Sequence, residues 1–337
     1  MPVTATSAKA KDKARRSGVV ARRVQAYAIL VAWAILILIF TVLLPDVFFS
    51  TQNFTAIANS KTATVLLTLG LLFALSAGEF DLSIGAALSL GAAIPAWLFT
   101  AYGTPVLAGI AIAVIAAALM GTLNAILAVR YEIPSLIVTL GTGTAVIGIV
   151  AGAVGNSTIS IRGDWWNTAL TQRTFGLYTS FWVVMLIALG IWYLLQHTPV
   201  GRHLYFVGQS REVARLAGIR VNAYRYTALI TSSTLGAFAG AILLGNTGAV
   251  QARIGQFFVL AAFAAAFLGA TAIVPGRFNA WGIVVAVYFI ETGITGLQLL
   301  GLRAWVSDVF YGTALVVGVL VATLATRLRS RLSARSS

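Results

Sequence analysis

The sequence has no cysteine, so disulfides, thiolate metal sites and cysteine nucleophiles are excluded together. Histidine is nearly absent. His197 and His203 share one polar segment, with too few companions there for a zinc site. Charge is scarce as well: 9% of the 337 residues are Asp, Glu, Lys or Arg, where a soluble domain carries about 25%. The hydrophobic share of 59% leaves no stretch for a separate soluble domain. No grouping of Ser, His and Asp singles out a nucleophile with its base, so hydrolytic chemistry has no foothold.

What is present is a series of apolar runs. A membrane-crossing helix needs about 20 mostly apolar residues. Ten runs approach that length: 24–44, 60–77, 82–101, 105–129, 134–153, 179–196, 226–245, 257–274, 279–300 and 307–326. The expected fold is therefore an all-α membrane protein of about ten transmembrane helices. Its parts are a basic tail over 1–23, a membrane domain over 24–326 with a polar loop at 197–225, and a second basic tail over 327–337. The run at 24–44 is longer than the apolar core of a secretory signal and reads as a retained first helix.

The net charge of +14 does not point to nucleic acid, because the basic residues cluster in short segments beside apolar runs. With the N-terminus inside, 18 of the 23 Lys and Arg residues fall on the cytoplasmic side. The other five, Lys61, Arg162, Arg173, Arg253 and Arg303, fall outside. That asymmetry places both termini in the cytoplasm. Residues 154–178 then form an outer loop, whose Trp165 and Trp166 serve as an interfacial anchor or as part of a docking surface.

The cytoplasmic loop contains a short helix. Ser210 is placed to cap it, Glu212 sits in its first turn, and Gly218 is placed to end it. Val213, Leu216 and Ala217 form an apolar stripe, with Arg211 and Arg215 four apart on another face. Such a helix either rests on anionic lipid or docks on a protein. Here the sequence resembles the permease subunits of ribose/xylose/galactose-type ABC importers. The likeness is carried by Gly208 to Ile219, by Gly78-Glu-Phe-Asp-Leu-Ser-Ile-Gly85, and by Phe267-Leu-Gly through Pro275-Gly-Arg-Phe-Asn279. It extends over roughly residues 50–325. Val213 stands where the family usually has Ala, and Glu79 where an apolar residue is common.

The resemblance implies a pore subunit in a bacterial or archaeal inner membrane. It pairs with a second permease chain, identical or related, and works with ATP-binding subunits and an extracytoplasmic solute-binding protein. Ser210, Arg211, Glu212, Arg215, Leu216 and Gly218 would form the ATPase-coupling helix. The chain lacks the Gly-x-x-x-x-Gly-Lys-Ser/Thr phosphate loop, so it is not expected to be an enzyme and needs no cofactor. A monosaccharide or a similar small polar solute is the expected cargo. The competing reading is an ion- or proton-coupled secondary transporter.

Two breaks share an outline, Gly78-Glu-Phe-Asp81 and Gly276-Arg-Phe-Asn279, each between apolar runs. They suggest a parallel internal repeat. Ionisable groups at such depth are usually paired, so Asp81, with Glu79, is expected to meet Arg277 at the inner mouth of the path. In the other reading, each break caps its own helix. Glu291 lies within the ninth run. It contacts solute or braces helices with Thr295 and Gln298. Asn124, in the fourth run, is expected to bond a neighbouring helix.

Overall fold

A computed structural model describes residues 27–155 and 157–334. The 1–23 tail lies outside these residues. Among them the chain is almost wholly helical: α1 (Tyr27–Leu43), α2 (Thr51–Ser60), α3 (Thr62–Ser76), α4 (Ile84–Tyr102), α5 (Val106–Ala125), α6 (Ser135–Val154), α7 (Trp165–Thr171), α8 (Thr179–His197), α9 (Pro199–Gln209), α10 (Arg211–Leu216), α11 (Val221–Thr247), α12 (Gln256–Gly269), α13 (Ala280–Leu299) and α14 (Trp305–Ala334). Four two-residue strands, β1 (Ile159–Ser160), β2 (Arg173–Thr174), β3 (Leu177–Tyr178) and β4 (Ala249–Val250), complete it. β1 pairs antiparallel with β4, and β2 with β3.

Among the described residues, each apolar run of the sequence contains a helix. Seven helices are long and apolar enough to cross a membrane, counting α2 with α3 and α5 with its continuation to Arg130. Tyr27–Leu43, Gln256–Gly269 and Trp305–Val321 are shorter apolar helices. The 327–337 tail is not wholly separate, since α14 continues to Ala334.

The bundle is organised around α3. Every residue from Thr62 to Leu75 is buried, and the helix is apolar on all sides, as befits one enclosed by others. Thr68 satisfies its hydroxyl on the Thr64 carbonyl, 2.7 Å away. The longest neighbour is α11, whose 27 residues span about 40 Å. Gly70 lets the two backbones close, because a Cβ there would lie 3.0 Å from the Ser232 carbonyl oxygen.

Two helices start in the interior. Between α3 and α4 the chain leaves helix for seven residues, 77–83. Gly78 turns it with φ +75°. The α4 that follows begins beside the first turn of α12, where Gly85 and Gly255 face each other. A Cβ on Gly85 would lie 2.8 Å from the Gly255 carbonyl oxygen. The Gly255 amide donates to Ser89 Oγ at 3.1 Å. Thus α12, with 14 residues, covers about 21 Å, only part of a bilayer.

Irregular backbone inside an apolar bundle needs partners for its polar groups. For 78–83 they come from α6. The Phe80 amide donates to Ser135 Oγ and the Leu82 amide to Thr139 Oγ1, both at 3.0 Å. The second break, 270–279, is closed by Asn279. Its Oδ1 accepts from the Gly282 amide at 2.7 Å, capping α13, and its Nδ2 donates to the carbonyls of Gly269, Ala272 and Arg277.

Candidate functional site

The described polar groups gather at the end of the bundle that carries α9 and α10. Ser210 ends α9 and caps α10, accepting from the Val213 amide at 3.4 Å. Gly218, at φ +76°, ends α10. The Gly218 amide donates to Arg215 and the Ile219 amide to Ala214, both at 3.0 Å. These are the paired bonds of a left-handed helix stop. The helix covers Arg211–Leu216, six residues rather than about eight.

The face it turns inward is small. Ala214 is buried against Val207, Val221, Ile219 and Tyr224. The stripe foreseen from the sequence faces the other way, with Val213 60% and Leu216 89% exposed. Arg215 and Glu212 are exposed too. An apolar stripe bordered by charge, held on a short capped helix, is suited to fit a groove on another body.

Behind α10 lies a buried ionic cluster. Glu79, 1% exposed, accepts on one oxygen from Arg211 Nη2 at 2.8 Å and from Arg225 Nε. Arg225 also donates to the Ala128 carbonyl at 3.0 Å. That carbonyl is offered by a π-helical turn, Ile126–Arg130, at the end of α5. Such a turn opens the regular ladder and recurs at functional places. In the sequence Arg225 is the last of five arginines in the 197–225 loop, and its burial rests on Glu79, 146 residues away, which no local pattern signals.

The expected contact of Asp81 with Arg277 is not made. The two breaks pair with different neighbours. Glu79 reaches α10 and α11, while Asp81 takes the amide of Ser83 at 3.0 Å and its hydroxyl, capping the start of α4. Ser83 Oγ accepts from Asn124 Nδ2 at 2.8 Å, and Asn124 Oδ1 from Thr142 Oγ1 at 2.6 Å. This places Asn124 between helices, as expected. Arg277 instead lies 3.7 Å over the ring of Tyr205 on α9, an attraction of cation and π face. Asn279 caps its own helix, in line with the local reading of that break.

The two breaks do meet through phenylalanines. Phe80 stacks with Phe263 and Phe267, and Phe267 contacts Phe278 edge-on at 5.5 Å. A cleft of 310 Å³ opens beside them between the second break and α8–α9, lined in part by Arg202, Tyr205 and Arg277.

Glu291 stands apart from this cluster. Lys61 lies 3.1 Å from its carboxylate, and Thr295 donates to it at 3.4 Å. Gln298 bonds Ser307 instead. Lys61, assigned from the sequence to an outer loop, is the joint between α2 and α3.

Residues 53–330 match the family described as permease component of branched-chain amino acid transport systems. A ribose import permease protein of Haemophilus influenzae is 26% identical over 86% of this chain and 90% of its own. The D-allose transport system permease protein of Escherichia coli is 28% identical, over 87% and 90%. An autoinducer 2 import system permease protein of Yersinia pseudotuberculosis is 28% identical, over 81% and 78%.

Proposed function

The chain belongs to the permease-component family of branched-chain amino acid transport systems, and from that premise we propose that it is the pore subunit of an ATP-driven importer for a monosaccharide such as ribose or allose. The Haemophilus influenzae and Escherichia coli relatives carry those sugars in their names, and the similarity runs through nearly the whole membrane domain.

The observation that carries the reading is α10. It is capped at both ends, small on its inner face, apolar and charged on its outer one, and tied by Arg211 to a buried residue of the first break. In the proposed cycle, ATP-binding subunits hold α10 in a groove and move it as they close. A solute-binding protein delivers sugar at the opposite end, near 155–178. Two permease chains together enclose the path. The apolar runs make ten crossings, that of the short α12 completed by the irregular 270–279 stretch, with both termini on the α10 side, the cytoplasm. That arrangement keeps the excess of Lys and Arg there. The two breaks, each closed by its own caps and joined through Phe80, Phe267 and Phe278, form the inner gate of a parallel repeat.

A secondary transporter would need a free ionisable group within the spans. Of the two carboxylates placed there, Glu291 is ion-paired with Lys61, and buried Asp81 is held on one oxygen by the amide and hydroxyl of Ser83, a local capping role.

Mild extraction of the tagged chain from its native membrane, followed by mass spectrometry of what accompanies it, tests the proposal. An ATPase with paired phosphate-loop halves is the expected companion. Its absence under several mild detergents, with the chain still folded, would reject the importer reading.

A further inference from the structure

The Glu79 cluster joins three segments that such a cycle has to move in concert. Arg211 is the first residue of α10, Arg225 belongs to the long α11, and Glu79 opens the irregular stretch that leads to α4. We propose that Glu79 is a positioning residue for transport, carrying the displacement of α10 to the interior start of α4. The inference rests on the importer reading above.

The two arginines are not equivalent. The side chain of Arg225 is 7% exposed and that of Arg211 42%. Arg225 and Glu79 are enclosed and further tied to the Ala128 carbonyl. Separating them would leave buried charge without a partner, so this contact holds through the cycle. The contact with Arg211 is open to water, and water can replace it. Glu79 therefore stays with Arg225 on α11 and gains or loses the hold of Arg211 as α10 shifts.

The link from Glu79 onward is stiff. Gly208 of α9 closes on the end of α3, where a Cβ on Gly208 would overlap the Ser76 carbonyl oxygen. Arg211 also reaches the Gly78 carbonyl at 3.4 Å. From Glu79 the backbone runs through Phe80 and Leu82, both anchored on α6, to Asp81 and Ser83 at the head of α4. A segment this short, held at Phe80 and Leu82 by α6 and folded at Asp81 onto Ser83, has little slack. A pull on Glu79 therefore arrives at Phe80 and at the contact of Gly85 with Gly255.

The test uses the absence of cysteine. Phe80→Cys gives a single thiol in this chain at a side chain 43% exposed, which is labelled with an environment-sensitive fluorophore in the complex with its ATPase. The signal of the cysteine-free parent is subtracted. Vanadate-trapped ATP is expected to shift the emission. Adding Arg211→Gln, which leaves the Glu79–Arg225 pair intact, is expected to cut that shift at least about fivefold, read per ATP hydrolysed by the same complex. Arg211→Lys is expected to restore part of it. Glu79→Gln, which strands Arg225, is read only where the complex stays monodisperse, and is expected to match Arg211→Gln.

An Arg211→Gln complex with an unchanged shift would overturn the inference. So would one that loses hydrolysis in step with the shift, since Arg211 would then act on docking. A wild-type chain that retains no ATPase overturns the importer reading itself, and this inference with it.

Discussion

Lys61 and Glu291 meet 3.1 Å apart inside the bundle, joining the bend between α2 and α3 to the middle of α13. Around them Trp33 Nε1 donates to Thr292 at 2.8 Å, and the Tyr288 hydroxyl to the Ala58 carbonyl at 3.0 Å. The pair fastens α1, α2 and α13 to one another, away from the breaks. Glu291→Gln is expected to lower stability by about 1–3 kcal/mol, less than for a fully enclosed pair because Lys61 keeps some access to solvent. The double replacement Lys61→Met with Glu291→Leu is expected to recover most of it. Thermal melting in detergent is the measurement, and a double variant weaker than the single one would contradict the bracing role.

The exposed stripe of α10 makes the opposite expectation. Leu216 is 89% exposed, so Leu216→Asp should change the stability of the isolated chain by no more than about 0.5 kcal/mol. Recovery of the accompanying ATPase should nonetheless fall sharply. Equal ATPase recovery from the variant and the wild type would show that α10 faces lipid or water instead.

The first break depends on two hydroxyls. Thr139→Val removes the acceptor for the Leu82 amide, and Ser135→Ala the one for the Phe80 amide. Each is expected to cost about 1–3 kcal/mol, the penalty of a buried donor left unmade. Hydrogen exchange should report the loss first at residues 78–83. Protection there that survives both substitutions would mean other acceptors hold the segment.

Where α4 and α12 begin, backbone touches backbone. Gly255→Ala places a Cβ against the Gly85 carbonyl, and the backbones have no flexible side chain to yield. A loss of about 1–3 kcal/mol is expected. Gly141→Ala, on a face where a Cβ meets nothing within 4 Å, is the control and should be neutral. Melting of both variants checks the pair.

The architecture was largely readable, because apolar runs of sufficient length have few alternatives to helix. The caps were readable too. Ser210, Gly218 and Asn279 act at single positions through local geometry, so residue type and spacing suffice to place them. Partners distant along the chain were not. Glu79 and Arg225 are 146 residues apart, and nothing in one helical period announces which arginine a carboxylate will choose. Opposite charge in matching breaks suggested Asp81 with Arg277. The fold instead turns Asp81 onto Ser83 at the head of α4 and sets Arg277 on Tyr205. Lys61 is a similar case, since its counter-charge, Glu291, stands 230 residues later and no local pattern announces the pair.

The enclosure of α3 also has a consequence for synthesis. Thr62–Ser76 leaves the ribosome early, while α11, α12 and α13, which wrap it, begin at Val221, Gln256 and Ala280. Until they arrive, the threonines of α3 and the unwound stretch after it face lipid or the insertion machinery. The centre of the molecule is thus among the first parts made and the last to be closed. A nascent chain halted before α11 would present its most interior helix at its surface, a state that a quality-control protease is well placed to read.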